Sequence, residues 1–128
     1  MSDPFCGQAV HFKHFAPEKV PYAHARYQFE AMRHLLVADE HLADREYMVG
    51  GVYTIADMAL WGWARVVPFI LGEDAWHKLP HLKRLVDTIS ARPTAACAVA
   101  LKERYTFKSE MDDEARRNMF RHLAATAA

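Results

Sequence analysis

The sequence predicts an all-α fold built around one buried helix. Three observations predict it. From Thr54 to about Leu71 the only charged residues are Asp57 and Arg65, and a helix that is apolar all round belongs in the middle of a domain. Apolar residues recur at spacings of three and four on both sides of that segment. No stretch shows the sustained period-two alternation of a half-buried strand.

The elements follow in order. Ser2-Asp3-Pro4 can open a helix with Pro at its first position. It is expected to run through Phe5 to about His14, weakened by Gly7. Pro17 and Pro21 punctuate the next stretch. The longest helical pattern runs from Glu18 or Tyr22 to about Ala43. Ala25, Phe29, Met32 and Leu36 form its stripe, with Leu35 and Leu42 widening it. Glu30, Arg33, Asp39, Glu40 and His41 are expected to face water. Asp44 to Gly51 reads as a loop broken at Gly50-Gly51.

Thr54 can cap the central helix, with Asp57 at the third helical position. A Thr hydroxyl accepts from the amide of the third helical position while the acid there reaches back to the cap amide, forming a capping box. Tyr53 and Met58 stand where a hydrophobic staple forms. Loss of such a cap costs about 1–2 kcal/mol. Pro68 should kink or end the regular helix, and Gly72 can close it. Glu73 to Lys78 connects to a helix opened by Pro80, with Leu82, Leu85, Val86 and Ile89 on one face. Pro93 opens another helix through about Arg104. Asp112-Asp113-Glu114 begins a final short helix, with Arg116, Arg117, Arg121 and His122 toward its end, an order that suits the helix dipole.

Composition narrows the function. Of 128 residues, 52% are apolar, which predicts a packed core rather than disorder. Lys plus Arg and Asp plus Glu both total 16, and neutrality argues against non-specific nucleic-acid binding. No apolar run approaches the ~18 residues that cross a bilayer. The first ten residues lack the basic and apolar regions of a signal peptide. Cys6 and Cys97 form no CxxC, which suits free thiols in a reducing cytoplasm.

Several residues invite chemistry. His11 and His14 are three apart, and His77 and His81 four apart, but no HExxH or companion ligand set completes a metal site. None is expected. Cys6 could be a nucleophile near a helix start, yet a small buried residue is the better reading. Cys97, in an Ala-rich segment, reads as core. Phe5, Phe12, Phe15 and Tyr22 surround a Pro-rich turn. They could line an apolar ligand pocket or form a satellite of the core.

Four stretches carry a resemblance: Phe5-Cys6-Gly7-Gln8-Ala9-Val10-His11-Phe12; Ala16-Pro17-Glu18-Lys19-Val20-Pro21-Tyr22-Ala23-His24-Ala25-Arg26-Tyr27; Tyr53-Thr54-Ile55-Ala56-Asp57-Met58-Ala59; and Ile89-Ser90-Ala91-Arg92-Pro93. Together they resemble the C-terminal helical domain of a glutathione transferase, most closely the bacterial nu-class branch with its glutathione-dependent disulfide reductases. The tail from Phe107 to Phe120 is similar to tails in that branch. The resemblance implies a helical domain over residues 1–106 and a tail with a short helix over 107–128. It makes the Thr54–Asp57 box the family's own cap.

The family's thioredoxin-like domain supplies most of its glutathione site, and nothing in this chain reads as such a βαβ domain. The resemblance therefore implies no catalytic residue here. It implies an electrophile-side wall bordered by Gln8, His11 and Phe12, with Arg26 reaching toward glutathione. Arg26 can equally be a surface residue paired with Glu30 at i,i+4. Glutathione would act as co-substrate only with a thioredoxin-like domain supplied, and the other substrate would be a small electrophile or disulfide. The chain is expected to be a fragment, a truncated product or a free-standing domain, and to associate as a homodimer or with a thioredoxin-fold domain. Phe5, Val10, Phe12, Trp61 and Trp63 are the expected uncovered apolar surface. The alternative is a non-catalytic interaction module on the same fold.

Overall fold

The structure is a computed structural model that describes residues 3–106, 108 and 110–121. Ser2, Phe107, Ser109 and His122, used in the sequence reading, lie outside the described residues. Among the described residues seven α-helices follow in order: α1 Asp3–Val10, α2 Pro21–His41, α3 Ile55–Ala64, α4 Val67–Leu71, α5 Pro80–Ser90, α6 Pro93–Arg104 and α7 Asp113–Met119. Among the described residues the only β-type pairing is two isolated bridges, Tyr47 with Gly50 and Val49 with Val52. The all-α expectation holds. The chain divides into two compact units, Met1–Ala96 and Cys97–Ala128.

In the first unit, α1 does not continue as an α-helix to His14. It widens into a π-helical turn over His11–Phe15, closed by the Ala16 amide on the His11 carbonyl at 2.8 Å. Pro21 opens α2 and Pro80 opens α5, each at the first turn where its missing N–H costs nothing. The expected stripe of α2 holds in part, since Leu35 and Leu42 are buried and Met32 and Leu36 pack against the core. Ala31, Leu35 and Leu42 face the core, whereas Phe29 is 62% exposed and Ala25 also faces out. Phe29 lies six residues before Leu35, about 120° around a helix of 3.6 residues per turn.

Glu30 and Asp39, expected in water, are buried at 6% and 5% exposure. Each is compensated by partners, as a buried charge requires. Glu30 pairs with Arg26 and Arg33. Asp39 Oδ1 accepts the Leu82 amide at 2.7 Å, which satisfies one of the free donors at the start of α5. Leu79 caps α5 without a side-chain hydrogen bond, so the cap comes from another helix.

The central segment breaks where Pro68 predicts. α3 ends at Ala64, and α4 carries Pro68 in its first turn. Gly72, at φ 98°, closes it with its amide on the Pro68 carbonyl, a conformation that favours glycine. Both halves of the capping box are formed. The expected all-round burial of α3 is not found. Asp57 and Ala64 are fully buried, but Ile55 is 81% exposed and Met58 is 49% exposed. Tyr53 meets Tyr47 edge-on at 5.7 Å and lies under the Arg92 guanidinium at 4.1 Å. A helix apolar all round still needs neighbours on every side, and the packed side here joins Ala64, Leu60 and Trp61 to the core and meets α5.

All four residues expected on the inner face of α5 are buried. Arg84, on its outer side, donates to the carbonyls of Leu42 at 3.0 Å and Arg45 at 2.6 Å. These carbonyls lie just past the end of α2, where the Leu42 carbonyl also takes the Arg45 amide at 3.4 Å. The stretch Glu73–Lys78, expected as a plain connector, winds into a 3-10 helix.

In the second unit Cys97 is exposed rather than core. The low polarity of its Ala-rich surroundings does not mark a buried face, because Ala is common on exposed helix surfaces as well. Asp112 caps α7 by accepting the Ala115 amide at 2.9 Å. Lys108 bridges Asp112 and Glu114 at 2.8 and 3.1 Å. These carboxylates hold the Lys108 ammonium above its ordinary range, and Lys108 in turn holds Asp112 below its own.

Candidate functional site

The residues implied by resemblance lie on α1, on the π-helical turn and on the first half of α2. Gln8 is exposed on α1, and His11 and Phe12 are half-buried one turn later. Their i, i+3, i+4 spacing places them on neighbouring turns of one side. The Phe12 ring stacks on Tyr27 of α2, with centroids 5.4 Å apart and planes at 4°. His11 meets Phe12 edge-on at 5.0 Å. The turn is thereby fastened to α2 one residue beyond Arg26.

The four aromatics of this region do not gather into one cluster. Phe5 stacks on His34 at 4.5 Å, Phe15 lies beside His14 at 6.2 Å, and Tyr22 is 80% exposed. Of the expected uncovered surface, Phe5, Val10, Phe12, Trp61 and Trp63 are all half-buried. The Trp61 indole N–H donates to Ser90 Oγ at 2.9 Å.

A polar junction that sequence reasoning missed holds the π-helical turn. Lys13 Nζ donates to the Phe69 and Ile70 carbonyls at 3.3 and 3.1 Å. Gln28 Nε2 donates to the Ile70 carbonyl at 2.9 Å. His14 Nε2 lies 2.9 Å from the Phe69 carbonyl, and its ring stacks on Phe69 at 4.1 Å. These carbonyls end α4 and lack helical partners. The break that Pro68 imposes was the available signal that free carbonyls would appear here. Among the described residues no three His, Cys, Asp or Glu side chains could hold a metal ion, and no helix is long and apolar enough to cross a membrane.

Arg26 pairs with Glu30, whose other oxygen takes Arg33 Nε at 2.8 Å. Both arginine side chains remain 51% exposed. The Arg33 hydrogen bond, with help from Arg26, holds the Glu30 carboxyl below the ordinary carboxylate range, although burial opposes the shift. A folded-state pKa below the unfolded one gives stability at higher pH that is lost as pH falls through the folded value. The melting temperature is therefore expected to fall between about pH 5 and 3, with a shallower fall for Glu30→Gln. Thermal melts in that window check it, and parallel curves would show that Glu30 adds nothing to the acid transition.

Residues 6–93 match the family described as Glutathione S-transferase, C-terminal domain. The chain is similar to the disulfide-bond oxidoreductase YghU of Escherichia coli (strain K12), 49% identical over 61 residues, which cover 47% of this chain and 21% of that protein. It is similar to the disulfide-bond oxidoreductase YfcG of the same organism, 31% identical over 118 residues, covering 87% of this chain and 47% of that one. Among solved structures, it resembles the glutathione transferase URE2P8 from Phanerochaete chrysosporium with oxidized glutathione. The TM-score is 0.72 at 30% identity, over 79% of this chain and 46% of that one. The chain thus spans less than half the length of each of these relatives. With 88 of its 128 residues inside the matched segment and the same helical fold, the chain belongs to the glutathione S-transferase C-terminal domain family.

Proposed function

We propose that this chain is the helical, electrophile-side part of a glutathione-dependent disulfide oxidoreductase or transferase that works in the cytoplasm. The observation that carries the reading is its likeness, over 79% of its length, to a transferase solved with oxidized glutathione. In this reading residues 1–106 are the family domain and 107–128 its tail. Gln8, His11 and Phe12 border the place of the second substrate, a small electrophile or a disulfide. The stack of Phe12 on Tyr27 gives that wall a fixed apolar face. Arg26 reaches toward glutathione. Its guanidinium suits an anionic ligand, because Glu30 orients it while half of the side chain stays open to solvent.

Glutathione itself supplies the thiol. Activation of that thiol falls to a thioredoxin-like domain associated with this chain, since a weak nucleophile needs a stabilising partner and correct placement. Homodimerisation belongs to the same reading. The purified chain is expected to conjugate glutathione to a chloronitroaromatic no faster than the uncatalysed reaction. Turnover clearly above background would overturn the assignment of thiol activation to a separate domain. Joined to a thioredoxin-like domain of the family, the chain is expected to reduce a small disulfide. Arg26→Ala in that chimera should raise KM for glutathione by about tenfold, as loss of a charged hydrogen bond does. An unchanged KM would return Arg26 to the role of a surface ion-pair residue.

A further inference from the structure

We propose that Lys13 is a positioning residue for the second substrate: it ties the π-helical turn to the carbonyl end of α4 and so fixes where His11 and Phe12 stand. This role rests on the reading of His11 and Phe12 as part of the substrate wall. It adds to that wall a side chain that touches no substrate itself.

The turn needs holding. Its closing bond runs from the Ala16 amide to the His11 carbonyl, five residues back, which is the wide ring of a π-helix. Such turns are rare, and those that occur stand frequently at functional sites. None of the five residues His11–Phe15 is buried, so packing inside the core does not impose the geometry. The stack of Phe12 on Tyr27 does not fix it alone either. Aromatic pairs tolerate centroid separations from about 4.5 to 7 Å, which leaves one ring free to slide over the other.

Directed bonds from the next residue remove that freedom. Lys13 Nζ donates to two successive carbonyls, those of Phe69 and Ile70, as a lysine near a helix C-terminus can. Ile70 is fully buried and packs with Cys6, Ala9 and Ala31. The acceptor is therefore anchored in the core while the donor sits on the turn. Gln28, the residue after Tyr27, donates to the same Ile70 carbonyl at 2.9 Å, and a carbonyl oxygen has lone pairs for both. Three ties thus close a triangle: turn to α2 through the rings, turn to α4 through Lys13, and α2 to α4 through Gln28. His14 meets only the Phe69 carbonyl, on a residue that is 49% exposed. Lys13 is the side chain of the turn that reaches the buried residue's carbonyl.

The test uses the full chain without glutathione. In the parent the Tyr27 ring signals in NMR spectra are expected to be displaced by the Phe12 ring stacked over them. Lys13→Met keeps the stem and removes the donors. It is expected to lose that displacement and to speed exchange of the Ala16 amide by about tenfold, the scale of one lost hydrogen bond in a local opening. Circular dichroism confirms that the variant is folded. Lys13→Arg supplies donors for both carbonyls and is expected to restore both readings. A chloronitroaromatic added to the chain is expected to shift the Phe12 and Tyr27 signals of the parent and of Lys13→Arg, and to leave those of Lys13→Met in place. Parent-like Tyr27 signals and Ala16 exchange in Lys13→Met overturn the proposal, as does a probe response in that variant equal to the parent's. A parent with stacked rings that ignore the probe refutes the wall reading and with it the substrate role of Lys13, while the variant's Tyr27 signals still show whether Lys13 holds the turn.

Discussion

Asp57→Ala is expected to lower the unfolding free energy by about 2–4 kcal/mol, more than a local cap accounts for, because three part-buried donors lose their buried acceptor together. The carboxylate is fully buried. Oδ2 accepts the Thr54 amide at 2.7 Å and the Thr54 hydroxyl at 3.1 Å. Oδ1 accepts the Met48 amide, nine residues away, at 2.7 Å. The Thr54 contacts form the box that starts α3. The Met48 contact ties the loop after α2 to that same start, so the substitution should loosen both. Urea melts measure the loss, and hydrogen exchange at the Met48 amide reports the loop. A midpoint equal to that of the parent would exclude the role. Asp57→Asn should cost less, since its amide oxygen can still accept one of these bonds.

The part of this acid's role that is local was legible in the sequence, and the part that is tertiary was not. Thr54 and Asp57 show their relation through spacing alone. Pro21, Pro80 and Pro93 mark helix starts for an equally local reason: each fixes φ and lacks a donor that the first turn does not need. The inner face of α5 was legible because its four apolar residues are large and their neighbours are polar. The face of α2 was legible in part, through Met32, Leu35, Leu36 and Leu42, while Phe29 and Ala25 were misassigned because apolar residues lie all around that helix. Burial there is decided by what the rest of the chain presents, and Ala31 wins over Phe29 because α1 and α4 approach its side, where Cys6, Ala9 and Ile70 pack.

The candidate site divides in the same way. Gln8, His11, Phe12 and Arg26 were named by resemblance, and no spacing argument alone would have selected them. The i,i+4 relation of Arg26 to Glu30 was visible, while the i+3 contact of Glu30 with Arg33 was not drawn from the sequence. The burial of Glu30 was not. The contacts of Lys13, His14 and Gln28 with the end of α4 join residues at least 42 positions apart, a separation at which periodicity carries no information.

Asp39→Ala is expected to cost about 2–3 kcal/mol, combining a lost charge-assisted hydrogen bond with a lost anion at a helix N-terminus. Asp39 is 5% exposed, and its carboxylate meets the Leu82 amide in the first turn of α5 at 2.7 Å. Since Leu79 offers that helix no side-chain cap, the substitution leaves a buried donor near the start of the helix that supplies Leu82, Leu85 and Ile89 to the core. Asp39→Asn separates the two contributions. It keeps an acceptor oxygen and removes the charge, so it should lose only about 0.3–1 kcal/mol, the usual worth of an anion at that position. Urea midpoints of the two variants decide the matter, with exchange at the Leu82 amide as the local readout. If Ala and Asn prove equally costly, charge rather than the hydrogen bond dominates. If neither moves the midpoint, α5 holds its start without help from α2.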